Sequence, residues 1–365
     1  MEIGIVGFEK SGKTTAFNAL TGSSVSTSAF GGGKIEPNIA IVNLPDERLD
    51  KLNEMSKSKK LVYATVKYTD LPGTAKDSVA NKQGLDPTHI QYLGQVDSLI
   101  AVIRAFEDDS GIETNIEGDI ESMNIELLLS DLVRVETRLE RLEKGVKKLS
   151  GVEKDKQQKE LDLITKIKAW LDENKPIRDM ELDEEEKKLI RGFQFLSEKP
   201  ILYLLNISED MLLEKRDLAG EIKNKLNING KWEDVAQMSC EVEMEISQLE
   251  QGEREIFMKD YGITEPASKM IIRRTFDLLG YMTYLTTGEK ETHAWTLKKG
   301  SKAPQAAGVI HSDFERGFIR AEIINWKDLL DLGGYPAAKK AGKLRLEGKE
   351  YVVQDGDTII FLFNV

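Results

Sequence analysis

The sequence predicts an α/β protein that combines a doubly wound, mostly parallel sheet with an inserted α-helical coiled-coil hairpin and a separate C-terminal domain. Three observations predict this class. Short apolar runs alternate with amphipathic helical patterns over residues 1–116 and again over residues 199–282, as in βαβ units. Residues 117–198 carry long leucine stripes. Residues 283–365 carry short alternating runs with turn residues, which indicate a small mixed sheet.

The composition of the 365-residue chain narrows the class of protein. With 40% hydrophobic residues, the chain can bury substantial cores. The formal net charge of −12 argues against a protein that coats nucleic acid or an anionic membrane over its whole surface. Cys240 is the only cysteine, which excludes an internal disulfide. Because we find neither a signal-peptide pattern nor an apolar run of ~18 residues, we expect a cytoplasmic protein.

The first strand–helix junction carries the most informative motif. Residues 3–6 form an apolar run, and residues 7–14 match G-x-x-x-x-G-K-[ST] ahead of a helical apolar pattern. Such a loop points backbone N–H groups at phosphate oxygens, and the helix that follows adds its positive dipole end. An ordinary glycine-rich turn is the less favoured interpretation. The residues predicted to bind nucleotide here are Gly7, Glu9, Lys10, Ser11, Gly12, Lys13, Thr14 and Thr15.

Between the first helix and a second motif, the sequence predicts a loop, a helix and two strands. Residues 23–34 are rich in Ser, Thr and Gly, which favours a loop. Residues 39–42 predict a buried strand, and Leu49 and Leu52 are expected to face inward from the helix that follows. A further strand is predicted over residues 62–68. The polar residues directly after this strand therefore lie at a strand end.

These polar residues form the sequence Asp-Leu-Pro-Gly at positions 70–73. In nucleotide switch proteins, a carboxylate at this place holds the Mg²⁺ shell and the glycine N–H meets the γ-phosphate. A D-x-x-G alone is a weak signal because Asp-x-Pro-Gly is also a good turn. We assign Thr14 and Asp70 to Mg²⁺, and Lys13, Asp70 and Gly73 to catalysis.

In the middle of the chain, the spacing of the apolar residues changes to the spacing that is typical of helices. Residues 74–95 predict a long loop or broken helix, and residues 98–103 a buried strand. Beyond residue 117 the apolar residues are spaced alternately by four and three, as in a coiled-coil seam. Gly151 and the charged run 153–159 are expected to interrupt this stripe before a shorter second one. The two stripes consist of Leu128, Leu132, Val135, Leu139, Leu142, Val146 and Leu149, then Leu161, Ile164, Ile167 and Leu171.

A third motif follows the next predicted strand. Guanine-specific P-loop proteins usually carry N-K-x-D here, but Ile207 replaces the lysine and Glu209 replaces the aspartate that follow Asn206. A longer carboxylate cannot take the same position, so guanine specificity is expected to be weak or lost. Capping of a helix by Asn206 or Ser208 explains the tetrapeptide equally well. Ser239, at the end of the last predicted strand, completes the predicted nucleotide-binding set.

With these motifs in order, the chain resembles the YchF subfamily of Obg-like P-loop NTPases, which includes the eukaryotic Obg-like ATPases. The resemblance covers nearly the whole length. Residues 124–143 are similar to the helical insertion of the family, and Asn206-x-x-Glu209 is similar to its N-x-x-E signature. The tail resembles its TGS domain, a ubiquitin-like β-grasp unit. The other similar segments are residues 35–38 and 44–49 after switch I, and residues 288–300, 303–311, 317–322 and 355–357 in the tail.

The resemblance implies that the protein binds ATP in preference to GTP, together with Mg²⁺, and hydrolyses it as a conformational switch in translation or stress regulation. It also implies association with the ribosome or ribosomal RNA through the TGS-like domain and the helical arm. We expect a monomer without a membrane partner. The basic side chains of residues 283–365 could face RNA, but a solvated surface of mixed charge fits them equally well.

The sequence departs from the family at the switch regions. Lys34 stands where the family has the threonine that ligates Mg²⁺, and an ammonium group cannot ligate a cation. Thr74 and Ala75 offer no side chain that would orient water, and residues 8–11 also differ from the family loop. We therefore expect nucleotide binding with slow hydrolysis, unless a partner or ion completes the site. Two alternatives stay open: a GTPase of the same fold, and a nucleotide-gated RNA- or ribosome-binding module that has lost hydrolysis.

Overall fold

The computed structural model of the chain describes residues 1–25, 37–71, 85–107, 114–228 and 230–364. The strands are β1 (Glu2–Gly7), β2 (Asn38–Asn43), β3 (Leu61–Val62), β4 (Thr65–Asp70), β5 (Ser98–Ala105), β6 (Ile201–Ile207), β7 (Glu233–Met238), β8 (Tyr281–Thr287), β9 (Thr292–Lys298), β10 (Phe318–Asn325), β11 (Arg345–Glu347) and β12 (Asp357–Phe363). The helices are α1 (Lys13–Thr21), α2 (Glu47–Ser56), α3 (Pro87–Gln95), α4 (Ile116–Val146), α5 (Gly151–Asp172), α6 (Glu184–Ile190), α7 (Glu209–Leu213), α8 (Leu218–Lys225), α9 (Cys240–Gln248), α10 (Gln251–Asp260), α11 (Ala267–Leu278), α12 (Ala303–Ile310), α13 (Ser312–Arg316), α14 (Trp326–Leu332) and α15 (Tyr335–Lys340).

The chain divides into two compact units, each built from two segments. The first unit comprises residues 1–40 and 67–271, and the second comprises residues 41–66 and 272–365. The boundaries predicted from the sequence at residues 116, 198 and 282 stay predictions. None of the helices in the described ranges is both long enough and apolar enough to cross a membrane.

The nucleotide-binding region of the first unit is organised by a six-stranded sheet with the order β2-β4-β1-β5-β6-β7. β1 lies between β4 and β5 and runs parallel to both, and β6 and β7 continue the parallel arrangement. Because the carboxyl ends of parallel strands meet at one edge of a sheet, the ends of β1, β4, β6 and β7 lie together there. The three motifs predicted from the sequence begin at the ends of β1, β4 and β6.

One strand of this sheet corrects the sequence prediction. Residues 39–42 do form a strand, but β2 lies at the end of the sheet and its residues alternate between half-buried and exposed. Ile39 is 52% exposed and Ile41 is 70% exposed, so the prediction of a buried strand is wrong. An apolar run does not distinguish an edge strand from a central one, because position in the sheet is set by long-range pairing.

The helical hairpin follows the predicted seam. The two helices α4 and α5 are joined by only four residues, and their leucine and isoleucine side chains share one buried cluster. The charged run 153–159 lies between the two stripes, and it forms the first turns of α5. Arg138 of α4 donates from Nε and a terminal nitrogen to the two carboxylate oxygens of Glu160 at 2.8 Å each, which fixes the pairing of the helices.

The second unit contains a mixed six-stranded sheet with the order β11-β10-β12-β8-β9-β3. β8 and β9 form an antiparallel pair, and β12 runs parallel to β8 and antiparallel to β10. The five C-terminal strands therefore have the order 2-1-5-3-4 of a ubiquitin-like β-grasp sheet, with α12 packed against its core. The sixth strand, β3, pairs parallel with β9 and comes from residues 41–66.

The sequence prediction for the tail is incomplete. Four helices, α12 to α15, lie among the strands, whereas only strands and turns are predicted there. Residues 351–353 do not form a strand of the sheet, since Val352 makes only an isolated bridge with Lys302. Gly300 and Gly356 lie in turns between strands, with positive φ angles of 83° and 78°.

Candidate nucleotide-binding site

The loop between β1 and α1 has the backbone of an anion-binding loop. Lys10 and Gly12 adopt positive φ angles of 63° and 85°, and the N–H of Ser11 donates to the carbonyl of Phe8 at 3.2 Å. Gly12 is the N-cap of α1, and no side chain among the described residues caps this helix. The first N–H groups of α1 are therefore available to an anion rather than to a cap.

Lys13 lies at the start of α1 with a buried side chain. Its Nζ donates to the carbonyl oxygen of Leu71 and lies 3.6 Å from Oδ1 of Asp70, both at the end of β4. Burial lowers the pKa of Lys13, while the charge of Asp70 and a hydrogen bond to it oppose that shift. The predicted phosphate-binding lysine and the predicted switch carboxylate are thus in contact.

Asp70 is the centre of this cluster and is fully buried. Its Oδ2 accepts hydrogen bonds from Oγ1 of Thr14 at 3.3 Å and from Nδ2 of Asn38 at 3.4 Å. Its Oδ1 has no hydrogen-bond partner within the described part of the chain, apart from its ion pair with Lys13. A hydroxyl and a carboxylate oxygen are ligands that suit Mg²⁺, so the pair predicted to hold the metal fits it chemically.

Asn38 is a member of this cluster that the sequence analysis does not assign to the site. It begins β2, and the residues before it, 35–37, are similar to the family segment after switch I, but no role is predicted for Asn38 itself. Its amide contact with Asp70 is the observation that places it beside the pair predicted to hold Mg²⁺. The similarity of residues 35–38 to the family was the only sequence signal that could have indicated it.

Asn206 connects the phosphate-binding loop to the last strand–helix junction. This buried residue donates from Nδ2 to the carbonyl of Ser11 at 3.0 Å, and its Oδ1 accepts from the N–H of Cys240 at 3.1 Å. It does not cap α7, because Ser208 accepts from the N–H of Met211 at 3.3 Å in that role. Ser239 is buried directly before α9, next to this connection.

The remaining predicted residues have different environments. Ile207 is buried in the core of the first unit, so its side chain does not offer a surface to a nucleotide base. Glu209 is exposed at the first residue of α7, and its Oε1 accepts a hydrogen bond from the hydroxyl of Tyr261 at 2.7 Å. Glu9 and Lys10 are exposed in the phosphate-binding loop. The sequence analysis does not identify Tyr261.

Four residues that carry sequence predictions lie outside the described residues. They are Lys34, Gly73, Thr74 and Ala75.

The chain was compared with known protein families and known proteins. Residues 2–138 match the family model MMR_HSR1, described as a 50S ribosome-binding GTPase, and residues 281–364 match YchF-GTPase_C, described as a protein of unknown function (DUF933). The ribosome-binding ATPase YchF of Bacillus subtilis (strain 168) is 42% identical over 369 residues and 99% of both chains. The chain belongs to the YchF family of Obg-like ATPases. Obg-like ATPase 1 of Bos taurus is 36% identical, over 100% of this chain and 92% of the relative.

The fold of this YchF-family chain also agrees with a solved structure. The YchF GTPase of Schizosaccharomyces pombe has a TM-score of 0.80 at 31% identity, covering 99% of this chain and 97% of the other. The predicted family and α/β fold class are therefore confirmed. The chain is a P-loop NTPase, and the loop between β1 and α1 is the one predicted to bind phosphate.

Proposed function

We propose that this protein binds ATP with Mg²⁺ at the start of α1, hydrolyses it slowly, and uses the nucleotide as a switch in association with the ribosome. The observation that carries the proposal is the convergence of Lys13, Thr14 and Asp70 beneath the phosphate-binding loop. Phosphoryl transfer needs a phosphate-binding lysine, a hydroxyl and a carboxylate in this combination.

In the proposed mechanism, Lys13 exchanges its contact with Asp70 for the β- and γ-phosphates. The backbone of residues 7–13 and the N-terminus of α1 orient the phosphates. Thr14 and Asp70 would hold Mg²⁺, which neutralises developing charge on the phosphate oxygens when it is bound. The charge on Asp70 then remains compensated when Lys13 turns to the phosphates. Asn38 keeps the Asp70 carboxylate oriented through its amide group.

The proposed hydrolysis is slow because the sequence after Asp70 lacks a residue that would orient water. Residues 71–75 read Leu-Pro-Gly-Thr-Ala, which contain neither a carboxamide nor a carboxylate. Enzymes of this class position the attacking water with such a group. A partner that supplies one would accelerate turnover.

The proposed preference for ATP over GTP rests on Glu209 and Ile207. The longer carboxylate of Glu209 does not take the position from which an aspartate makes a paired contact with guanine, and discrimination by such a contact is worth ~1–3 kcal/mol. Ile207 replaces a lysine whose stem would cover the base, and its side chain is buried. A GTPase of the same fold is the alternative that this argument disfavours.

The proposed partner is the ribosome. The relatives from Bacillus subtilis and Escherichia coli O157:H7 are named ribosome-binding ATPases. We propose that the C-terminal β-grasp sheet, as a TGS-like domain spanning residues 283–365, and the helical arm spanning residues 117–198 make the contact. The protein would act as a cytoplasmic monomer.

The experiment that tests the proposal measures affinity for ATP and GTP with Mg²⁺, and phosphate release from each, with and without ribosomes. We expect tighter binding of ATP and phosphate release that ribosomes accelerate. Tight ATP binding with no release under any condition would instead support a nucleotide-gated binding module. Tighter binding of GTP would show that Glu209 does not select adenine.

A further inference from the structure

One hydrogen bond joins the proposed base-recognition residue to a tyrosine from a different part of the first unit. Glu209 begins α7, whereas Tyr261 follows α10, and the tyrosine hydroxyl donates to Oε1 of Glu209 at 2.7 Å. The hydrogen bond to Glu209, with burial and the carboxylate charge, raises the pKa of Tyr261 to about 12. The hydroxyl therefore stays protonated, and stays a donor, at neutral pH.

The position of this hydroxyl is fixed by the end of α10. The backbone N–H of Tyr261 donates to the carbonyl of Phe257 at 3.2 Å, and the two rings pack with their centroids 4.7 Å apart. Gly262, the next residue, turns the chain away with a φ angle of 63°. A tyrosine held by its backbone and its ring offers its hydroxyl from a defined direction.

The hydrogen bond that Oε1 of Glu209 accepts from Tyr261 affects which purine base this carboxylate can bind. The Watson–Crick edge of guanine presents two adjacent donors, N1–H and the N2 amino group, which suit a carboxylate with both oxygens available. Adenine presents one donor, the N6 amino group, beside the acceptor N1. The hydrogen bond from Tyr261 uses one lone pair of Oε1 and holds the carboxylate in one orientation, which leaves Oε2 as the oxygen with both lone pairs open to a further donor.

We propose that Tyr261 is a specificity-determining positioning residue, which holds Oε1 of Glu209 so that this carboxylate accepts one hydrogen bond from adenine rather than two from guanine. The inference rests on the proposed function, because it deepens the choice between ATP and GTP at the same site. Tyr261 acts through Glu209 and does not itself contact the nucleotide in this proposal.

A purely structural role makes a different prediction. If the hydrogen bond only ties α7 to α10, its loss lowers stability and weakens both nucleotides equally. If it sets specificity, its loss changes the ratio of the two affinities. The affinity ratio is therefore the measurement that separates the two roles.

The test is Tyr261→Phe, which removes the hydroxyl and keeps the ring. Dissociation constants for ATP and GTP with Mg²⁺ are measured on the full chain, along with the thermal midpoint. We expect GTP to gain roughly two- to tenfold relative to ATP, because one carboxylate oxygen is released to make a further hydrogen bond. An unchanged ratio overturns the inference.

Two further variants sharpen the test. Tyr63→Phe is a matched control, since the Tyr63 hydroxyl also donates to a carboxylate, that of Asp50 in the second unit. We expect it to leave the ratio unchanged. In a Glu209→Ala background, Tyr261→Phe should no longer move the ratio, and a shift that persists there overturns the inference.

The outcomes also distinguish this inference from the proposed function. A parent protein that binds neither nucleotide overturns the proposed function and the inference together. A parent that prefers ATP, with a ratio that Tyr261→Phe does not change, overturns the inference alone.

Discussion

Asp70 shows how much of the site depends on a single side chain. Its carboxylate is fully buried, and Thr14, Asn38 and Lys13 surround it. A buried carboxylate is costly unless hydrogen bonds and a counter-charge compensate it. Here Lys13, the lysine predicted to bind phosphate, provides the counter-charge. In the proposed function, a phosphate that takes Lys13 therefore changes the partner of Asp70.

For a single residue of the site, we predict that Lys13→Ala weakens the binding of ATP. We expect ATP affinity to fall roughly 10- to 100-fold, since a hydrogen bond to a charged group contributes ~1.5–3 kcal/mol. Isothermal titration with ATP and Mg²⁺ measures the loss. Lys10→Ala is the matched control, because Lys10 is an exposed lysine of the same loop, and its loss should cost no more than about 1 kcal/mol. Unchanged affinity in Lys13→Ala would refute the site.

Asp131 provides a prediction about pH. This buried residue of α4 accepts from the N–H groups of Leu196 and Ser197 at 2.8 and 2.7 Å, and burial raises its pKa to about 6. The folded protein therefore binds this proton more tightly than the unfolded chain does. The contribution to the free energy of unfolding is largest below about pH 4 and is lost as the pH rises through about 6.

The measurement is urea unfolding of the parent and of Asp131→Asn between pH 4 and pH 7. We expect the asparagine variant to be less stable at low pH, because its NH₂ group cannot accept from both backbone donors. We also expect it to lack the part of the pH dependence that comes from Asp131, at most about 3 kcal/mol. A variant that keeps the full pH dependence of the parent would contradict this assignment.

At the scale of elements, the phosphate-binding loop is fixed by more than its own sequence. Asn206, at the end of β6, donates from Nδ2 to the carbonyl of Ser11. Its Oδ1 accepts a hydrogen bond from the N–H of Cys240, the first residue of α9. The junctions that follow β1, β6 and β7 are therefore tied together by one side chain. These two hydrogen bonds give Asn206 a structural role in addition to any contact with nucleotide.

Gly12→Ala tests this connection. Gly12 has a φ angle of 85°, and an added Cβ would overlap Nδ2 of Asn206. Gly22→Ala is the matched control, because Gly22 also has a positive φ, 66°, but no atom of the residues that the structure describes lies within 4 Å of the added Cβ. Left-handed strain costs both variants ~1–2 kcal/mol. We expect Gly12→Ala to lose roughly 1 kcal/mol more, from the hydrogen bonds of Asn206, in chemical denaturation. Equal losses would contradict the proposed tie.

At the scale of the whole molecule, the second unit is assembled from two distant segments of the chain. Arg48, from residues 41–66, donates to both carboxylate oxygens of Asp46 at 2.8 Å each, to Asp355 at 2.7 Å and to Thr283 at 2.8 Å. The same segment supplies β3 to the edge of the mixed sheet. The C-terminal sheet is thus completed by residues that lie between β2 and β4 in sequence.

Arg48→Ala tests whether this network stabilises the second unit. Its removal leaves the buried Asp46 carboxylate without its counter-charge, and breaking such a pair costs ~3 kcal/mol. We expect faster hydrogen exchange in β8 and β9 and a lower free energy of unfolding. Lys60→Ala is the control, since the exposed pair of Lys60 with Glu291 should contribute less than about 1 kcal/mol. Equal effects of the two variants would contradict the role of Arg48.

The sequence by itself determined the phosphate-binding loop, the carboxylate at position 70, the strands around them and the leucine seam of the hairpin. Each of these depends on local requirements, such as glycine where the backbone turns or apolar residues at a fixed helical period. The sequence also showed that Glu209 stands where guanine-specific P-loop proteins carry an aspartate, because a motif can be compared position by position.

Only the tertiary structure decided which distant residues meet. It placed Asn38 on Asp70, Asn206 on Ser11 and Tyr261 on Glu209. It also made β2 an edge strand and gave residues 41–66 to the second unit. The physical reason is that periodicity shows which face of an element is apolar, but the neighbours of that element are set by long-range packing and strand pairing.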